Sequence, residues 1–323
     1  MRRQLDEIDR RIVAALLLAP RISWRALSAA LDIPERTLVR RVGPLYGDGT
    51  LRATAVPNPA YFPDLIPLVL RVRCRPNRVT EVADVMARRP DTVWVDILGG
   101  DEVCTVHFLD GPQARTDLLL RQLVATPSAT SWTFHEFLRI FPTAFTWSGG
   151  ILTEEQTRTL SPGLPLVTEP TPLREIDLAL IRALVHDGRA PYRDLAQRTK
   201  ISPVTARHRV DTLLAGGAVR LATEVDLALL GIRTEALLWM TVPPSILDET
   251  GQRLAQHPQV RFAGAVTGTA TLFLAVAAPD LAALYTFLTE TIGAIDNLTT
   301  LETAPILTTV KRTGLARLPA PRR

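Results

Sequence analysis

Cysteine, lysine and long apolar runs are what this sequence has least of. Cys74 and Cys104 are its only cysteines, which excludes a disulfide framework and points to a reducing, cytoplasmic setting. The longest apolar run, Ile12 to Ala19, is far too short to span a bilayer, so no membrane segment is expected. Met1-Arg2-Arg3 lead into an acidic helix start instead of an apolar signal core, which argues against secretion. Basic residues other than Lys200 and Lys311 are all arginine, a bias of GC-rich bacterial genomes more than of function. Catalytic and metal constellations are missing too. Cys104 and His107 lie three apart on an expected strand, so they point to opposite faces and cannot share a metal. No phosphate loop, nucleophile elbow or paired carboxylate stands out, and neither cofactor nor metal is expected.

What is present is a repeat. Shifted by 168 residues, the start of the chain falls on its middle without a gap. Over Leu5 to Arg52 there are 16 identities in 48 positions, among them Asp9 with Asp177, Arg21 with Arg189, Thr37 with Thr205 and Arg41 with Arg209. A single long-range repeat means two copies of one module, not a solenoid of short units. With 323 residues and 46% hydrophobic content, each copy has room for proper cores.

Each copy opens with the pattern of three short helices: Ile8 to Leu18, Ser23 to Leu31 and Glu35 to Tyr46 in the first. In the second, Ile176, Leu180, Ile181 and Leu184 recur at helical spacing, Pro191 to Arg198 follows, and Ser202-Pro203 starts a third helix. Ser is a good N-cap and Pro is tolerated in the first turn. Val204, Val210 and Leu213 are expected to face the bundle. A strand follows each head, then a β-α-β-β-α-β series. The expected fold class is α+β, a tandem repeat of a winged, three-helix helix-turn-helix head and a ferredoxin-like βαββαβ sandwich. The expected division is a first head over 1–55, a first sandwich over 56–145, a linker over 146–172, a second head over 173–222, a second sandwich over 223–312 and a basic tail over 313–323.

Charge follows the same division. Residues 1–55 hold 10 basic and 6 acidic side chains and residues 173–222 hold 9 and 5, a net of +4 each, while 223–310 has 3 and 9. Lys311 to Arg323 add +5. Positive charge gathered on two heads and a tail is a footprint for a polyanion. On the third helices, Arg36, Thr37, Arg40 and Arg41 in the first copy, and Ser202, Pro203, Thr205, Arg207, His208 and Arg209 in the second, are the candidate contacts to double-stranded DNA. Arg can pair bidentately with guanine or clamp phosphate, and Thr can take either role or touch a thymine methyl. The first head departs from the second. Pro34-Glu35 stands where the second copy has Ser202-Pro203, and Gly43-Pro44 falls inside the helix, where Pro invites a kink.

The run Leu173-x-x-Ile176-Asp177, Arg193-x-Leu195-Ala196, Ile201-Ser202-Pro203, then Arg207-x-Arg209-Val210 with Leu213, Gly217 and Val219 resembles the head of leucine-responsive/asparagine-regulator (Lrp/AsnC) transcription factors. The family pattern continues into a RAM-type sandwich with a Thr-Gly-Asp turn. Here that turn reads Gly99-Gly100-Asp101 in the first copy, without the Thr, and Thr267-Gly268-Thr269 in the second, without the Asp. The resemblance implies a sequence-specific DNA-binding regulator, with an amino acid or other small effector bound near those six residues. It also implies sandwiches that pair through their sheets, here as an intramolecular pseudo-dimer that further homo-oligomerises. No enzymatic activity is expected. The alternatives are a ligand-binding protein with vestigial DNA heads, or a sirohaem (tetrapyrrole) decarboxylase-like enzyme on the same fold. The enzyme would need His and Arg lining the sandwich cleft, where the strands Thr92 to Ile97 and Val260 to Ala265 offer only Arg261. Trp94 and Phe262, which coincide under the 168-residue shift, are expected to be core aromatics.

Overall fold

The computed structural model describes residues 4–141, 147–161 and 172–317. The first copy runs α1 (Glu7–Leu18), α2 (Trp24–Leu31), α3 (Glu35–Gly47), β1 (Arg52–Pro57), β2 (Leu65–Cys74), α4 (Val79–Arg88), β3 (Thr92–Leu98), β4 (Glu102–Asp110), α5 (Gly111–Asp117) and β5 (Ala129–Ile140). A helix α6 (Glu154–Leu160) stands between the copies. The second copy runs α7 (Glu175–His186), α8 (Tyr192–Thr199), α9 (Pro203–Ala215), β6 (Val219–Glu224), β7 (Thr234–Thr241), α10 (Pro244–Ala255), β8 (Val260–Val266), β9 (Leu272–Ala278), α11 (Leu281–Thr286), β10 (Thr300–Arg312) and a short β11 (Leu315–Ala316). Every expected helix and strand is present, with ends moved by a few residues. No helix among the described residues is long and apolar enough to cross a membrane.

The chain sorts into two compact units that regroup the copies. One holds both heads (Met1–Tyr61 and Ala144–Ile232), the other both sandwiches (Phe62–Thr143 and Arg233–Arg323).

In the head unit, β1 and β6 pair antiparallel, Arg52 opposite Glu224 and Pro57 opposite Val219. Each strand thereby supplies the neighbour that a lone wing strand would lack. Gly188 sits where a side chain would collide with the Thr54 backbone, 2.7 Å from its carbonyl oxygen; its N–H donates to the Ala53 carbonyl at 3.0 Å. Arg21 and Arg189, equivalent under the repeat, then clasp one another's heads. Arg21 donates to the carbonyls of Gly188 and Ala190 and covers the Tyr192 ring at 4.4 Å. Arg189 donates to the carbonyls of Pro20 and Ile22 and covers the Trp24 ring at 4.4 Å.

Part of the 146–172 linker is ordered against the first head. Trp147, Leu152 and Leu160 are buried, and α6 lies against α1 and α2. Thr153 and Gln156 form a reciprocal capping box at its start. Residues 162–171, which hold the Pro-rich part of the expected linker, lie outside the described residues.

In the sandwich unit the strands close into a ring. The order β10-β3-β4-β2-β5-β8-β9-β7 returns to β10, every pairing antiparallel, with β11 appended. β5 and β10 are long enough to serve both copies. β5 pairs with β2 through Glu136 and crosses to β8 from Phe137. β10 pairs with β7 through Pro305 and crosses to β3 from Ile306. Outside the ring, helices cover two apolar layers, one around Leu68, Leu70 and Val103, the other around Leu238, Leu272 and Leu274. Between the facing sheets lies a third layer with Val69, Cys104, Phe137, Trp239 and Phe273.

Two expectations need correction here. The repeat offset is 168 only as far as the turn: Ile97 pairs with Val103 and Ala265 with Leu272, so the second turn is one residue longer. Nor is the end of the chain a simple basic tail. Lys311 and Arg312 are buried, and the chain turns back so that Lys311 and Arg312 face Ala316 and Leu315. The Lys311 ammonium donates to the Arg89 carbonyl, and that charge is spent inside the protein. Residues 318–323 lie outside the described residues.

Candidate nucleic-acid interface

The third helix of each head is held from behind by residues at the same three positions. α3 buries Leu38, Val42 and Leu45; α9 buries Ala206, Val210 and Leu213. Both sets follow helical spacing, which leaves the opposite face open. Val204 is not part of the bundle as expected: it stands two residues before Ala206 and is 79% exposed.

The start of α9 is the better capped. The Ser202 hydroxyl accepts the Thr205 N–H at 3.1 Å and lies 2.8 Å from the Thr205 hydroxyl. Pro34 offers α3 no side-chain cap, a difference of about 1 kcal/mol. α3 nonetheless runs through Pro44 to Gly47, although a proline there gives up the N–H that would bond the Arg40 carbonyl.

Arg36, Arg40, Thr205, Arg207 and His208 are exposed, and Thr37 is half-buried. Arg41 and Arg209 face inward to their own first helices. Arg41 reaches Asp6 at 2.6 Å and Asp9 at 2.8 Å; the hydrogen bonds it donates to Asp9 and Asp6 hold its guanidinium above the usual range. Arg209 grips Asp177 with two nitrogens, Nε to Oδ1 at 2.8 Å, and Asp177 is 1% exposed. This ion pair ties α9 to α7 and α3 to α1. Sequence reasoning missed that tie, although both partners recur in both copies. It also passed over Arg25 and Arg193, equivalent exposed residues at the starts of α2 and α8.

The two sandwich turns differ in kind. Gly100 (φ +74°) and Asp101 (φ +60°) take left-handed backbone between β3 and β4, the conformation of a tight hairpin turn. Gly99 and Gly100 have open space where a side chain would be. The second turn is fastened to β5. Thr267 donates its N–H to the Glu136 carbonyl, and its hydroxyl accepts the Glu136 N–H, both at 2.9 Å. His135 bonds the Thr267 carbonyl, and a side chain at Gly268 would lie 2.5 Å from that ring. By pairing register, Pro305 stands where Glu136 does and Gly99 where Thr267 does. Donor and acceptor have vanished together from the first turn.

Inside the ring is a cluster that the sequence did not reveal. Asp96, fully buried, accepts from the Thr309 hydroxyl at 2.6 Å, and Arg312 donates to Thr309 at 2.6 Å and to Glu235 at 2.9 Å. Arg261 donates to the same Glu235 oxygen at 2.9 Å. Burial pushes the Asp96 carboxyl up to about 6, against the pull of Arg312 and Thr309. Burial also works against the Glu235 charge, but Arg312 and Arg261 hold that group below the ordinary carboxylate range. The second copy has Gly264 in place of Asp96. From this end a chain of rings crosses the interior: Trp94 to Phe262 (centroids 6.0 Å), Phe262 to Phe137 (5.3 Å), Phe137 to Phe273 (5.9 Å) and Phe273 to Trp239 (5.3 Å). Arg71 covers Trp239 at 4.3 Å.

Two helix-turn-helix heads and two ferredoxin-like sandwiches, fused in one chain, define the class. A family model described as AsnC-type helix-turn-helix domain matches residues 5–45 and 173–214, and one described as Lrp/AsnC ligand binding domain matches 235–316. The chain belongs to the Lrp/AsnC family. It is 34% identical over 147 residues to an uncharacterized HTH-type transcriptional regulator of Pyrococcus horikoshii, covering 45% of this chain and 92% of that one. It is 33% identical over 150 residues to the Bkd operon transcriptional regulator of Pseudomonas aeruginosa, covering 43% and 93%. Among solved structures, the sirohaem decarboxylase NirDL shares the fold over 95% of this chain and 93% of its own, with a TM-score of 0.60 and 14% identity.

Two measurements test these assignments. Arg209→Ala leaves Asp177 buried without its partner, so the head unit should lose about 3 kcal/mol in urea unfolding, whereas Arg207→Ala should leave stability unchanged. Asp96 has a folded pKa above its unfolded value, so its contribution favours folding at low pH and is lost as pH rises through about 6. Wild-type sandwich stability should therefore fall between about pH 4 and 6, and level off above, by a component that Asp96→Asn removes; an unchanged pH profile in that variant would contradict the burial of a titrating carboxyl.

Proposed function

We propose that the chain is a sequence-specific DNA-binding transcriptional regulator that carries its own dimer partner. The observation that carries this reading is the pair of AsnC-type heads, held by β1–β6 pairing and the Arg21/Arg189 clasp, each with a solvent-facing third helix. Two such helices fit half-sites about one helical turn apart. Arg36, Thr37 and Arg40 in one head, and Thr205, Arg207 and His208 in the other, supply the contacts; Ser202 and Pro203 shape the helix start, and Arg25 and Arg193 add phosphate clamps. Arg41 and Arg209 act by holding the reading helices in place. The open first turn, Gly99-Gly100-Asp101, is the one left to a small effector, while Thr267-Gly268-Thr269 serves as a fastener.

Regulators of this type named among the relatives support the reading, and the fused structural neighbour supports only the shared fold. Where an enzyme of that neighbour's kind would need a cleft between the sheets, this chain has Trp94, Phe262, Phe137, Phe273 and Trp239 in a run of ring contacts. Adding an iron tetrapyrrole should give no Soret shift beyond that of the free compound; a saturable shift would favour the enzyme.

A mobility-shift assay on DNA upstream of the chain's own gene tests the regulator directly. Retention should weaken with salt, log K falling against log salt with a slope of about −0.9 per phosphate contact, and Arg207→Ala should reduce affinity without changing stability. If no fragment is retained even at low salt, the reading fails.

A further inference from the structure

The reading helices carry two apolar side chains that no core explains. Val204 is 79% exposed and Val39 45%. Val204 lies about 200° round the helix from buried Ala206, on the face that also carries Arg207 and His208. Val39 stands beside Arg36 and Arg40 on the open face of α3.

Laid on one another by the 168-residue shift, the two helices exchange these residues. Arg36 coincides with Val204, Thr37 with Thr205 and Val39 with Arg207. Both helices thus present one arginine, one threonine and one valine at their second, third and fifth positions, with arginine and valine changed about a shared threonine. These lie in the N-terminal half, the part that helix-turn-helix docking turns to base edges. In the major groove the two side chains ask for different bases. A guanidinium pairs bidentately with guanine O6 and N7; a valine has no hydrogen bond to offer and fits the C5 methyl of thymine. Arg207 is held only by an exposed pair with Asp211 at 3.7 Å, too weak to keep it from a base, and the first copy has Gly43 at that position.

Building on the DNA-binding reading above, we infer that the two heads read unlike half-sites. Arg36 reads a guanine and Val39 covers a thymine in one, while Val204 covers a thymine and Arg207 reads a guanine, in exchanged order, in the other. The operator then lacks the two-fold symmetry that the protein frame retains.

Selection of the full-length chain against a random duplex library tests this. The enriched sequence should have two unlike halves with guanine and thymine exchanged about a common centre. Deoxyuridine in place of the thymine under Val204 should weaken wild-type binding about fourfold, the worth of one methyl group, and leave Val204→Ala unaffected. Arg36→Val together with Val39→Arg, both at exposed positions, should give the two halves the same order of guanine and thymine at the bases these residues read. A palindrome selected by the wild-type chain, or indifference to deoxyuridine at every enriched thymine, overturns the inference while DNA binding stands. A library from which nothing is retained at low salt overturns both. The deoxyuridine measurement uses the unaltered protein, so it decides even if the exchanged variant does not fold.

Discussion

Two strands longer than their own sheets need hold the sandwich unit together. β5 and β10 each pair first within their own copy and then cross, at Phe137 and Ile306, to the other. A four-stranded sandwich leaves unpaired edges, and closing eight strands into a ring removes them. The apolar faces that meet inside this ring exist only because both copies are present. The heads follow the same rule on a smaller scale. β1 has β6 as its neighbour, and Arg21 and Arg189 satisfy carbonyls that the opposite loop leaves open. Doubling of the module is therefore a physical requirement of each unit, and fusion guarantees that the partner is at hand.

Fusion also lets the copies part. Where a homodimer must repeat every residue, this chain keeps Asp96 in one copy and Gly264 in the other, Glu136 facing Thr267 on one side and Pro305 facing Gly99 on the other. The losses are matched. Pro305 has no N–H to give, and Gly99 has no hydroxyl to receive one. Gly264 has no carboxylate to bury, and the Phe137 ring occupies the space that a side chain there would need. Frame residues such as Asp9, Asp177, Arg41 and Arg209 remain equal, while exposed residues of the third helices (Arg36 and Val204, Val39 and Arg207) and turn residues have diverged.

Much of this was legible in the sequence. Capping residues, helical spacing and strand alternation placed the heads and sandwiches because each signal is local. The resemblance carried by Ser202-Pro203 and the residues around them pointed to the family. Less local features were not legible. Arg41 and Arg209 read as DNA contacts because an arginine on a polar face gives no sign of the aspartate one helix away, though the joint recurrence of Asp9/Asp177 with Arg41/Arg209 was the available clue. Val204 suits a core by its hydrophobicity alone, but Ala206 supplies the third member of the buried row. Thr153 and Gln156 announced a helix in the linker, obscured by the prolines beyond it. The Asp96, Glu235, Arg261 and Arg312 cluster joins residues that are distant in sequence and absent from the repeat, so no pattern search would collect them.

In the proposed regulator, one chain supplies both reading helices to one site. The decisive measurement is a titration of the chain, at concentrations far above the dissociation constant, against a duplex carrying a single selected site, with the break point located by sedimentation. Saturation at one chain per duplex, with two adjacent half-sites protected, is the predicted result. A break at two chains per duplex, each protecting one half-site, would contradict it.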